Sequence, residues 1–192
     1  MTVIVAALLF TALFPELSLS VSVVFDLPAR GVGTPEIVAV ALASVLPAIT
    51  VPRFDSRELT AGLSARIGHL AYSGATLAAP LTVLPTWYWV IGLSHPEEEF
   101  PPLHGLIGNV VVFACLGAIL CLTLGPLASV VVTPALFAGF VVAQHAAPNS
   151  LLTDEFATGR SWHTNYLVTV AMVLLTLALG WRLHAIPRPN RP

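Results

Sequence analysis

Six stretches of this chain are apolar for long enough to cross a lipid bilayer as helices. They run over about 3–25, 35–51, 67–93, 105–124, 127–146 and 164–184, where one crossing needs about 20 predominantly apolar residues. The segments between them are polar or turn-forming. Asp26 to Thr34 contains Pro28, Gly31 and Gly33. Ser94 to His104 holds the consecutive glutamates Glu97, Glu98 and Glu99 among prolines. Gly125-Pro126 places a glycine after one helix and a proline at the start of the next. This alternation takes up nearly all of the 192 residues. The expected fold is therefore all-α: a single polytopic transmembrane domain over 1–192, with six transmembrane helices and no sizeable soluble domain. The N-terminal stretch lacks the positive n-region and the cleavage site of a signal peptide, so it reads as a retained first helix.

Charge narrows the function classes. Only 9% of residues are charged, against roughly 25% in a soluble domain, which excludes a nucleic-acid binder, a disordered chain and an ordinary soluble globule. All eight basic residues are arginine. Without lysine there is no P-loop ATPase, no Schiff-base enzyme and no retinal protein. Any ATP chemistry coupled to this chain belongs to a partner.

Arginine placement sets the expected orientation. With the N-terminus in the cytoplasm, Arg53, Arg57, Arg66, Arg182, Arg188 and Arg191 lie inside, and only Arg30 and Arg160 lie outside. Most acids then fall outside: Asp26, Glu36, Glu97, Glu98, Glu99, Asp154 and Glu155. Trp87, Tyr88, Trp89, Trp162 and Tyr166 mark the outer interface, and Tyr72 and Trp181 the inner one. Both termini are thus expected in the cytoplasm. Pro15, Pro47, Pro80 with Pro85, and Pro134 predict kinked spans.

The inner segment 52–66 reads PRFDSRELTAGLSAR. Asp55 followed by Glu58 approaches a capping box. Leu59, Leu63, Ile67 and Leu70 then share one helix face. This spacing predicts a short amphipathic helix at the cytoplasmic surface. It serves either as a partner-docking element through Arg53, Asp55, Arg57, Glu58 and Arg66, or as an interfacial anchor for the bundle.

The segment RFDSRELTAGLSARIGHL, followed by a proline-broken helix, resembles the first cytoplasmic loop of six-helix permease subunits of ABC transporters. LIGNVVVFACLGAILCLTLGP and SWHTNYLVTVAMVLLTLALGW resemble small actinobacterial membrane proteins grouped with such permeases. The resemblance rests on pattern over most of the chain. It implies a separate ATP-binding cassette ATPase, a second membrane subunit and no catalytic residue in this chain.

Polar groups within the spans are candidate sites. Glu16, directly after Pro15, falls about midway along the first span. A carboxylate there costs roughly 2.5–3.5 kcal/mol on insertion scales. It reads as a substrate contact, a proton site or half of an ion pair, unless the helix breaks at Pro15 and lets it reach water. Asn109 in the fourth span is expected to bond between helices. His69 reads as a packed or snorkelling side chain. Cys115 and Cys121 lie six apart on one helix, pointing in different directions, so two buried free thiols are expected. His95, His104, His145 and His163 gather on the outer side with the acidic residues. The spacing is poor for a metal, and no cofactor is expected. His104 and His145, at the outer ends of adjacent spans, form the best candidate pair.

Three functions fit these features. The first is a permease-type subunit moving a substrate across the cytoplasmic membrane with its ATPase and a second membrane subunit, embedded in the lipid bilayer. The second is a substrate-capture subunit for a vitamin or metal, of the S-component kind. The third is a structural or assembly subunit of a larger membrane complex. An enzyme is not expected: Ser73-Gly74 in AYSGAT lacks both the turn and the partnering histidine of a rhomboid-type protease.

Overall fold

The fold is dictated by where proline and glycine stop the apolar helices. In the computed structural model, the described residues are 2–23, 25, 29–50, 71, 74–95, 103–147, 150 and 164–183. Among them the chain is mostly helical, with six α-helices: α1 (Thr2–Leu13), α2 (Thr34–Thr50), α3 (Val83–Ser94), α4 (Leu103–Leu124), α5 (Pro126–Ala146) and α6 (Tyr166–Leu183). Two short strands, β1 (Ser18–Val21) and β2 (Arg30–Gly33), form an antiparallel hairpin between α1 and α2, pairing Leu19 with Val32 and Val21 with Arg30.

The hairpin is the main departure from an all-helical reading. Hydropathy predicts a helix across 3–25, but α1 stops at Leu13. Pro15 disfavours helical geometry at Phe14 and lacks an N–H to continue the ladder. At 1.5 Å per residue the 12-residue α1 is about 18 Å long, short of the roughly 30 Å of a bilayer core. The apolar composition beyond Pro15 is real, but its LSLSV alternation has the two-residue period of a strand.

Between α4 and α5 the punctuation acts as expected. Gly125 adopts φ 101°, a conformation that disfavours any side chain, and its N–H bonds to the carbonyls of Leu120 and Cys121, each at 3.1 Å. Pro126 then opens α5. Pro80 falls in a 3-10 turn, Ala79–Thr82, within the apolar helical stretch Gly74–Ser94. Pro47 lies inside α2 and Pro134 inside α5.

Among the described residues, three helical stretches are long and apolar enough to cross a membrane: Gly74–Ser94, Leu106–Leu124 and Pro126–Ala146. The core lies where α2 meets α3 and α4, built from Val38, Ala39, Leu42, Leu46, Val83, Leu84 and Val110, with Ile4 and Leu8 of α1 packed against it. Phe113 of α4 packs edge-on against Phe137 and Phe140 of α5, each at a 5.1 Å ring separation. Cys115 and Cys121 are buried free thiols, as their spacing implies. Large apolar residues cover the outer faces of α5 and α6, among them Leu127, Val131, Leu167 and Leu174.

Proline also shapes the contact between α2 and α4. Without an N–H, Pro47 leaves the Ala43 carbonyl without its usual helical donor. Gly117 of α4 comes so close to that carbonyl that any β-carbon would overlap the oxygen. The same stretch of α2 receives further polar contacts. Ser129 Oγ of α5 donates to Ser44 O at 2.8 Å, and Cys121 Sγ of α4 donates to Pro47 O at 3.4 Å.

Candidate functional site

The oppositely charged pair nearest in sequence to the start of α2 builds the site. Glu36 lies in the first turn of α2, where the N-terminal end of the helix dipole favours a carboxylate. Arg30 sits on β2, six residues earlier. The hairpin turns it inward so that its guanidinium meets Glu36 as a fork: Nη1 donates to Oε2 at 2.9 Å and Nη2 to Oε1 at 2.8 Å. Both side chains are almost completely buried. Paired hydrogen bonds of this kind are the strong form of an arginine–carboxylate contact.

The pair is the centre of a network that joins distant parts of the chain. Arg30 Nε donates to Gln144 Oε1, near the end of α5, at 3.2 Å. Asn109 Nδ2 of α4 donates to Glu36 Oε1 at 2.7 Å. Asn109 Oδ1 in turn accepts from the backbone N–H of Thr164 at 3.0 Å and from its hydroxyl at 2.7 Å, just before α6. Next to Gln144, His145 Nδ1 accepts the Val23 N–H at 3.2 Å. Arg30, Glu36, Asn109, Gln144, His145 and Thr164 are all buried.

These bonds bring the starts of α2, α4 and α6 to the same end of the bundle as the finish of α5. The finish of α3 joins them there, because the Trp87 indole N–H donates to Pro15 O at 2.8 Å and His95 Nε2 lies 2.7 Å from Glu16 Oε1. Each helix therefore runs in the alternating sense that the apolar runs and their connections require.

The expected sites fare differently. Asn109 bonds between elements, as anticipated. Glu16 does not lie midway along a helix: it occupies the turn after α1, its side chain is 70% exposed, and it pairs with His95. The break at Pro15 removes it from the span. Surface pairs of this kind contribute about 0–1 kcal/mol. Glu16→Leu is therefore expected to change unfolding in a denaturing-detergent titration only marginally, and a loss of several kcal/mol would contradict this placement.

Arg30 and Glu36, which charge placement assigns to the outer loops as ordinary polar residues, are instead buried partners. The signal available in the sequence is an arginine and a glutamate six apart, around a proline that opens a helix, in a chain with few charges.

His145 is buried against the hairpin. His104 lies on the first turn of α4, with its side chain outside the described residues, so the pair proposed from the sequence cannot be traced there. Arg53, Asp55, Arg57, Glu58 and Arg66 also lie outside the described residues, as do His69, Glu97, Glu98, Glu99, Asp154, Glu155 and His163. Among the described residues, no group of three or more histidine, cysteine or acidic side chains is arranged to hold a metal ion. No protein family, curated protein or solved structure matches the chain.

Proposed function

We propose that this chain is a permease-type subunit of an ABC transporter, working in the cytoplasmic membrane with a separate ATPase and a second membrane subunit. The observation that supports this reading is the polar fastening of the bundle at the hairpin end. The pair of Arg30 and Glu36, with Asn109, Gln144 and Thr164 bonded around it, ties the helix ends together at the hairpin end. The opposite end, after α2, is where the basic segment with Arg53, Arg57 and Arg66 attaches. A bundle clamped at the hairpin end and engaged by a partner at the other is suited to transmitting the closure of an ATPase. In this reading the protein is multi-pass with both termini in the cytoplasm, and the apolar faces of α5 and α6 meet lipid or the second membrane subunit.

The test is purification in mild detergent from cells expressing the neighbouring genes. The chain is expected to co-elute with an ATPase, and elution alone counts against the proposal. Charge reversal at Arg57 and Arg66 is expected to weaken the association, whereas Glu97→Gln leaves it intact. Equal effects from both would remove the docking role of segment 53–66.

A second reading, substrate capture in the manner of an S-component, draws support from the buried polar side chains Arg30, Gln144 and His145 at the hairpin end. It predicts that the chain purified alone retains a small molecule, visible by mass spectrometry after denaturation. The permease reading predicts none.

A further inference from the structure

The outer strand of the hairpin is complementary to itself. Leu17 to Val23 reads LSLSVSV. Apolar residues and serines alternate strictly, and the pattern is symmetric about Ser20. Turned end for end about Ser20, the strand meets itself with serine opposite serine and apolar residue opposite apolar residue.

The backbone shows which groups it offers. The Thr34 N–H donates to Leu17 O at 2.8 Å, one step beyond the pairing of Ser18 with Gly33. Along an antiparallel ladder, residues that direct their backbone groups at the partner strand alternate with residues that direct them away. Leu17, Leu19 and Val21 therefore face β2 with their N–H and C=O groups. Ser18 and Ser20 turn theirs to the open edge of β1, and Ser22 continues the series. Among the described residues, no hydrogen bond reaches that edge.

The edge also lacks the usual protection. Strand edges in water are blunted by charge, proline or a bulge. Leu17 to Val23 contains no charged residue and no proline, and β1 pairs with β2 in unbroken register. Leu17, Leu19 and Val23 are nonetheless 47%, 59% and 47% exposed. The exposed pair of Glu16 and His95 at the start of the strand places this edge in water.

Symmetry singles out the occupant. The strand of an unrelated protein would use the same open backbone groups, but it would not require a pattern symmetric about Ser20. A second copy does, because an isologous contact sets the same residues against one another across a twofold axis. The geometry also suits two copies in one membrane. Arg30 and Val32 of β2 are buried against the bundle, and Val21 and Leu19 opposite them lie on the same face of the sheet. Antiparallel pairing of two β1 edges is related by a twofold axis perpendicular to the sheet. That rotation leaves both bundles on the same side of the sheet, so both copies keep one orientation.

We propose that β1 pairs antiparallel with β1 of a second copy of this chain, with Ser20 opposite Ser20 on the twofold axis. The two hairpins form a four-stranded sheet across the ends of two bundles. Ser18 then lies opposite the second copy's Ser22, and Leu19 opposite its Val21. This contact goes beyond the permease reading and stands or falls independently of it.

The experiment is oxidative cross-linking in native membranes. Directly opposite, hydrogen-bonded residues have Cα atoms about 5.5 Å apart, within the roughly 4.4–6.8 Å that a disulfide spans. Ser20→Cys is expected to give a covalent species of twice the chain mass, severalfold more abundant than from Leu127→Cys. Leu127 is exposed at the opposite end of the bundle and reports chance collision. Unmodified protein, whose Cys115 and Cys121 are buried, is the blank. Register is tested by co-expressing Ser18→Cys and Ser22→Cys copies that carry different tags. The mixed product is expected to exceed either homodimer severalfold. Ser20→Cys that cross-links no better than Leu127→Cys overturns the proposal. So does a mixed product no more abundant than the homodimers, which would mean proximity without this pairing. A Ser20→Cys product of any other mass overturns it as well, because the strand of a different protein then occupies the edge.

Discussion

Replacing Glu36 with leucine is expected to cost the folded protein about 3–5 kcal/mol, the typical loss when one member of a buried ion pair is removed and its partner stays charged and buried. Arg30 would lose both fork bonds, and Asn109 would lose the bond from its Nδ2 to Glu36. Arg30→Met alone should cost a similar amount, by stranding the carboxylate at the start of α2. The double variant Arg30→Met with Glu36→Leu should cost clearly less than the sum of the two single losses, because no charge is left buried without its partner. What remains is the loss of one hydrogen bond each at Asn109, at Gln144 and at the Gly31 carbonyl, at a cost of about 1–3 kcal/mol for a buried group left short. Equilibrium unfolding in bicelles, read by circular dichroism, tests the cycle. Additive effects of the two single changes would show that the pair does not act as a unit.

The second large effect is expected at Gly117. Any side chain there collides with the Ala43 carbonyl oxygen, which belongs to backbone and cannot rotate away. Gly117→Ala should force α2 and α4 apart and cost about 1–3 kcal/mol, as overpacking of a close-packed interior does, and Gly117→Val more. The loss should be cooperative along the contact, because Ser129 and Cys121 reach the same stretch of α2. The same substitution at Gly139 of α5, where an added β-carbon meets nothing within 4 Å, is the matched control. Similar losses at the two positions would show that the Ala43 contact is not the cause, since helix propensity alone favours alanine over glycine.

Much of the helical plan is legible in the sequence because membrane-length apolar runs and their breakers are local properties. The Gly125-Pro126 turn, the short connection between α4 and α5 and the free, buried cysteines all arise from residues close together in the chain. The first span departs from that plan for a related reason. Hydropathy sums apolar residues without regard to period, so LSLSV after Pro15 counts toward a helix although it alternates as a strand. With α1 ending at Leu13, Glu16 sits in an exposed turn rather than at mid-span, and the case for an intramembrane carboxylate there disappears.

Arg30 and Glu36 show the other side. Each is visible as a charge near an outer loop, and nothing local distinguishes them from solvated residues. Their burial depends on Gln144 and Asn109, which arrive from positions more than seventy residues away in sequence. The close approach of Gly117 to Ala43 is equally non-local.

By itself, then, the sequence determined an apolar, mostly helical chain, the order of its helices and most of the points where they stop, because hydropathy and backbone punctuation act over a few residues. Only the tertiary structure decided which of the few charges are buried, which helices touch and where the first helix hands over to a hairpin. Those outcomes depend on whether a polar group finds a partner before it loses water, and the partners lie in distant parts of the chain.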